Sequence, residues 1–391
     1  MDRHAGDALD AGTAVRRRDV LIGMAGAALL ARARPRAAAA PLFMYIGSFT
    51  QKDGGHGDGL SVYRRGSESE PWQLVEVLKD LADPSFIVID RQQRSVYTSH
   101  GDGTHATAYR IDSATGRLMV INRQPTGGIN GAHLSIDGSG RFLAVANYAS
   151  GGLALLSINA DGSLGPVCDA AKTTGTPGPH KTQQESSHPH HCPFDRSGHF
   201  IVVPDKGLDR VFLYRLDTSG GKLIPGEPPS VSSRAGAAPR HVDFHPTLPF
   251  AYVINEIDST ITVYRFEPEN HVLKPLQIVP TPPATYTGNN SGAEIVVAPS
   301  GRFVYGSNRG HDSIAVFAID QTSGLLTAAG WEPTQGRTPR FFTLDPTGTH
   351  LYAANQASDT VVIFRIDQAT GKLAATGEKI NVKTPTTIAF R

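Results

Sequence analysis

The sequence predicts an all-β fold, a seven-bladed β-propeller closed by pairing of its N- and C-terminal strands. Three observations predict it. Short apolar alternations recur between turn residues, with 41 Gly, 27 Pro and only 19% charged residues in a chain of 391. Period-two alternation interrupted by such turns is the pattern of β-strands. A unit of about 50 residues repeats along the chain, and such a period marks a repeat architecture rather than several domains. Finally, each end of the chain carries one part of that unit, and the two parts together complete it.

Residues 1–39 stand apart from the repeats and read as a twin-arginine-type signal peptide. Arg16, Arg17 and Arg18 precede the apolar run Val20 to Leu30, and the small residues Ala37 to Ala40 follow. A basic stretch, a short apolar core and an A-x-A-like site form an export signal. Arg17-Arg18-Asp19-Val20-Leu21 resembles the twin-arginine kind. The run is too short to span a bilayer. Cleavage is expected after Ala39, giving a periplasmic or secreted product with no membrane contact in its mature form.

Losing the leader removes seven Arg and four Asp from the 37 basic and 36 acidic residues, which leaves 30 and 32. A balance this even gives no reason to expect nucleic acid or an anionic membrane as partner. The mature chain, residues 42–391, is expected to act as a monomer on a small molecule. Its two cysteines are Cys168 and Cys192. An exported protein can hold a disulfide, two separate thiols are equally compatible with the spacing, and no CxxC or zinc spacing occurs.

The clearest repeat begins with the strand Ala293-Glu294-Ile295-Val296-Val297 and turns at Ala298-Pro299-Ser300-Gly301. It returns through Phe303 to Arg309, and a third strand runs from Ser313 to Ile319. Further copies begin at Pro84, Ala132, Pro189, Pro239 and Pro339. Pro385 to Phe390 is a first strand with nothing after it, and Phe43 to Ser48 is a second strand with nothing before it. Pairing them closes the ring and removes two open sheet edges.

First strands line the central tunnel, so the start of each first strand and the end of each second strand share one face. Those positions form a ring: Ser85 with His100, His133 with Tyr148, His190 with Asp205, and Arg240 with Glu256. Glu294 with Arg309, Arg340 with Gln356, and Thr386 with Phe49 complete it. So many ionisable groups around one funnel mark it as the candidate site. As a plain rim salt bridge the Arg240–Glu256 pair would be worth only about 0–1 kcal/mol. The run Ser187-His188-Pro189-His190-His191 lacks the carboxylate partner of a familiar zinc pattern, so no metal and no cofactor are expected. No GxSxG elbow is present.

Several motifs resemble the seven-bladed propeller lactonases, which include bacterial propeller-type 6-phosphogluconolactonases and relatives that cyclise 3-carboxymuconate. They are Gln184-x-x-Ser187-His188-Pro189-His190, Val203-Pro204-Asp205-x-Gly207-x-Asp209-x-Val211, and Pro239-Arg240-His241. Tyr252-Val253-x-Asn255-Glu256 and Ser307-Asn308-Arg309-Gly310-His311-Asp312-Ser313-Ile314 complete the set. The likeness runs from Met44 to Phe390. It implies His190, Arg240, Glu256 and Arg309 as catalytic residues, matching a His, Arg, Glu, Arg set in the cyclising relatives. Most members of the family are cytosolic, and the leader here departs from that.

The expected activity is hydrolysis of a small anionic or sugar lactone. Opening an ester carbonyl needs a base for water and donors for the oxyanion. His190 or Glu256 fills the first role, and Arg240 with Arg309 fills the second. Arginine suits it because its fork grips carboxylate or phosphate with two parallel bonds. Asn308, Arg340, Gln356, His133 and Asp205 are the expected substrate-binding residues. Lactonising cyclisation of a muconate-like diacid, and ligand binding without turnover, are the alternatives the same funnel allows.

Overall fold

The computed structural model describes residues 42–270 and 272–391. The signal-peptide assignment, residues 1–39, lies outside them. Seven antiparallel sheets are arranged in sequence, six of four strands and one of three. We number the blades 1 to 7 from the sheet that starts at Pro84. First strands are Pro84–Ile89, Gly131–Ile136, Pro239–Phe244, Ser291–Val297, Pro339–Leu344 and Pro385–Phe390 for blades 1, 2, 4, 5, 6 and 7. In blade 7 the strand Pro385–Phe390 pairs antiparallel with Leu42–Ser48, so the two ends of the chain close the ring as expected.

Period-two alternation explains how each blade packs on both neighbours. Along Leu42–Ser48, Phe43 and Tyr45 enter the cluster shared with blade 1, beside Ile87 and Val96. Met44 and Ile46 enter the cluster shared with blade 6, beside Tyr352 and Ile363. Tyrosines of the second strands add a latch to the next blade. The hydroxyls of Tyr45, Tyr97, Tyr252 and Tyr305 each donate at 3.0 Å to the carbonyl of Gly116, Gly162, Gly324 and Gly371.

The Asp-x-x-Gly turns are held by the aspartate itself. Asp137 Oδ1 accepts the backbone N–H groups of Arg141 and Phe142, both at 2.8 Å, around Gly140 at φ +74°. A side chain that mimics the next turn of backbone in this way is why Asp starts such loops.

Blade 3 departs from the repeat. Its sheet has three strands, and the expected first strand survives only as isolated bridges, Pro189 to Asp205 and Phe194 to Ile201. Pro189 and Pro193 have no N–H to give a ladder. The residues between them turn to the neighbouring blades instead. The Cys192 N–H donates to His133 Nδ1 of blade 2 at 3.2 Å, and His191 Nδ1 accepts the Val242 N–H of blade 4 at 3.2 Å. Both thiols are free: Cys192 is buried against His133, and Cys168 donates to the Leu155 carbonyl.

Candidate active site

The broken first strand of blade 3 carries His190 to the tunnel mouth, where the start of blade 4 brings Arg240 and His241. Together with Phe49, Ser85, Phe86, Ala132, Arg340, Phe341 and Thr386 they line a small cavity. Its volume is about 30 Å³. A cavity of that size has room for little more than a water molecule, so a sugar lactone would lie at its mouth. A larger recess of about 700 Å³ lies among the opposite-face turns of blades 1 and 2, lined by Arg91, Arg94, Arg110 and Arg141. It contains none of the funnel groups.

Beside Arg240, Glu256 is surrounded by cations. Lys206 Nζ lies 2.8 Å from Oε1, Arg309 Nη2 3.2 Å from Oε1, and Arg240 Nε 3.2 Å from Oε2. The last contact has the distance of an ion pair but not the alignment of a hydrogen bond, since Arg240 Nε finds no hydrogen-bond partner. The Arg240 side chain is only 3% exposed and that of Glu256 11%. The pair is therefore buried and is not the exposed rim bridge that is the alternative to a functional pair. Burial works against the Glu256 carboxylate, yet Arg309, Lys206 and Arg240 hold it well below the usual range. A carboxylate so stabilised is a poor base.

His190 differs. Burial, then repulsion by Arg240, pushes its imidazole well below the usual histidine range, so it is neutral. Tyr148 packs edge-on against it at 5.4 Å, and its Nδ1 lies 3.2 Å from His241 Nε2. With Nδ1 so engaged, Nε2 is the ring nitrogen left for the cavity.

Two arginines have donors to spare. Arg240 Nη1 donates to the Ala293 carbonyl at 2.5 Å, while Nη2 has no partner among the described residues. The Arg340 side chain makes no hydrogen bond or ion pair among the described residues, and its guanidinium stands 5.0 Å over the Phe49 ring. Burial, then Arg309, disfavours its charge. An incoming anion would relieve that cost.

The structure brings His190, Arg240 and Arg340 to the cavity; Glu256 and Arg309 are not among its lining, and Glu256 joins Arg309 to Arg240. Four of the expected binding residues do other work. Asn308 is fully buried: Oδ1 accepts from Asn290, and Nδ2 donates to Thr281 O and Ser313 Oγ. It has no group left for a substrate. Asp205 is also fully buried, and it accepts from Ser187 Oγ and the N–H groups of His188, Gly207 and Leu208. It organises the turn that carries Lys206. His133 is packed between Phe86, tilted against it, and His191, edge-on to it, with burial holding it neutral and pushing its pKa down to about 3. Gln356 sits in the short turn Gln356–Ser358, and its side chain does not line the cavity.

Sequence reasoning passed over Lys206, which touches Glu256 and Gln183. The signal was its place immediately after Asp205, at the end of a second strand. His241 stood in a motif and Glu294 in the ring, but neither received a role.

Comparison with known proteins bears on this geometry. A family model described as "Lactonase, 7-bladed beta-propeller" matches residues 43–390. A 6-phosphogluconolactonase of Bacillus subtilis is 34% identical over 305 residues, 77% of this chain and 84% of that protein. One from Formosa agariphila is 31% identical over 314 residues, 77% of this chain and 86% of that protein. Among solved structures, the periplasmic gluconolactonase of Pseudomonas aeruginosa superposes with a TM-score of 0.81 at 29% identity. That match covers 90% of this chain and 99% of the other.

Proposed function

The chain belongs to the seven-bladed β-propeller lactonase family and is a lactone hydrolase, and we propose that it prefers a small sugar lactone carrying an anionic group. One observation carries this reading: a neutral histidine, a partly free Arg240 and an uncommitted Arg340 converge on a water-sized cavity. The relatives named 6-phosphogluconolactonase support the anionic substituent.

In this reading the lactone lies in the funnel with its anion on Arg340 and its carbonyl oxygen toward Arg240 Nη2. Water in the cavity attacks the carbonyl carbon while His190 Nε2 takes its proton. Arg240 stabilises the oxyanion that forms, the kind of preorganised donor that contributes most when charge develops in a dry site. Collapse breaks the ring C–O bond, and His190 returns the proton to the leaving oxygen. The products are a hydroxyl group and a carboxylic acid, which ionises to the carboxylate and releases its proton to solvent. Glu256 does not exchange protons; it fixes Arg240, Arg309 and Lys206 in place.

Hydrolysis read by pH-stat on gluconolactone and 6-phosphogluconolactone tests the proposal. Both should open, the phosphorylated one at lower KM. Arg340→Gln should raise KM for the anionic lactone about 10–100-fold, as loss of one charge-assisted contact would, and leave the neutral lactone unchanged. Binding of both lactones by calorimetry without consumption would replace this reading with a binding module.

We read the working unit as an exported monomer. The ring closes on its own two ends, so one chain completes the funnel. The Arg17-Arg18 leader and the periplasmic relative support export. Fractionation of producing cells should recover the protein outside the cytoplasm; full-length protein confined to the cytoplasm would overturn it.

A further inference from the structure

Three consecutive blades place a chain of titratable groups at the catalytic cavity. His190 of blade 3 meets His241 of blade 4, Nδ1 to Nε2, at 3.2 Å. His241 Nδ1 in turn lies 2.9 Å from Glu294 Oε1 of blade 5. All three are buried. Glu294 Oε1 also accepts the Ile295 N–H at 2.9 Å, while Glu294 Oε2 is buried with no hydrogen-bond partner. A carboxylate left so poorly supported, one imidazole away from the cavity, is an expensive arrangement unless its proton is used.

We propose that Glu294, His241 and His190 form a proton relay in which Glu294 stores the proton that His190 takes from the attacking water. With Glu294 ionised, His241 Nδ1–H donates to Oε1 and His190 Nδ1–H donates to His241 Nε2. His190 Nε2 then faces the cavity as a lone pair, the form a base needs. When Nε2 takes a proton, the Nδ1 proton of His190 passes to His241 Nε2. The Nδ1 proton of His241 passes to Glu294. The chain has gained one proton, both imidazoles end neutral, and Nε2–H is poised to return a proton to the leaving oxygen. The reverse passage restores the start.

The charges around the chain explain why storage matters. His190 faces Arg240, Arg340 and Lys206, with Glu256 and Tyr148 opposite. An imidazolium there would add a positive charge to a cationic wall. His241 faces His191, Arg240, His190 and His133, all unfavourable to a second charge. Glu294 faces Arg240, which favours its ionised form, and Asp243, which disfavours it. Burial dominates and raises the Glu294 carboxyl to about 8. Delivering the proton to Glu294 therefore removes a costly buried anion instead of creating a costly buried cation.

This rests on His190 acting as base, and the experiment keeps the two apart. The base form requires ionised Glu294, so activity should rise with pH through the titration of the relay and fall below it. Glu294→Gln can still accept from His241 but cannot hold a proton. It should lower kcat about 100-fold, at the lower end of what positioned proton transfer contributes, with KM little changed and the acid limb moved to lower pH. Nitrogen-15 NMR of labelled histidine gives a readout independent of turnover. In the unsubstituted protein His190 Nε2 should change from unprotonated to protonated across that limb while the ring stays neutral, and in Glu294→Gln it should not. A Glu294→Gln protein with unchanged kcat and acid limb, or a His190 tautomer that is constant across the limb, overturns the relay. An active His190→Ala protein would overturn the base assignment, and with it the catalytic use of the relay. An inactive one beside an unaffected Glu294→Gln overturns the relay alone.

Discussion

Replacing His190 with alanine is expected to lower kcat about 10²–10⁴-fold, the usual contribution of a positioned base. His190 lines the cavity, Tyr148 and His241 fix its ring, and burial with Arg240 keeps it uncharged. Glu256, the other base considered from sequence, is held ionised by three cations and has lost its basicity to them. The substitution removes an uncharged side chain, so KM for the lactone should change far less than kcat. Steady-state kinetics at saturating lactone will check it. Turnover within a few-fold of the unsubstituted enzyme would return the role to another group.

Replacing Glu256 with glutamine should act first on stability. Three cations, Lys206, Arg240 and Arg309, would lose their shared counter-charge in a buried wall. Breaking a buried ion pair by removing one partner costs about 3–5 kcal/mol. The carboxyl is held below its ordinary range, so its contribution is complete above the unfolded-state pKa and is lost only as pH falls through the lower folded value. At neutral pH the full loss should appear as a lower urea midpoint. It should fade in strong acid, where the carboxylate of the unsubstituted protein is itself protonated. An unchanged midpoint at neutral pH would mean that the cations relax into solvent. Activity should fall too, because Arg240 would no longer be fixed beside the cavity.

The repeat, the number of blades and the closure by the two chain ends were legible in the sequence because they are written in local signals. Alternation with period two, Asp-x-x-Gly turns and an incomplete unit at each end act over a few residues and recur. The ring of funnel residues followed from the same register. It identified the positions of His190, Arg240, Glu256, Arg309 and Arg340, but not which way each side chain turns. Asp205 occupies a ring position and Asn308 precedes one, yet both turn into the protein, because neighbouring loops present donors and acceptors that use all their capacity. Lys206 turns inward because Glu256, 50 residues later, provides its counter-charge. The contacts from His190 to His241 to Glu294 join three blades and more than 100 residues of chain, and no local pattern encodes them. Only closure of the ring decided which charges meet at its axis. Charges packed there, away from water, fix one another's protonation, and that is a property of the assembled tunnel rather than of any repeat.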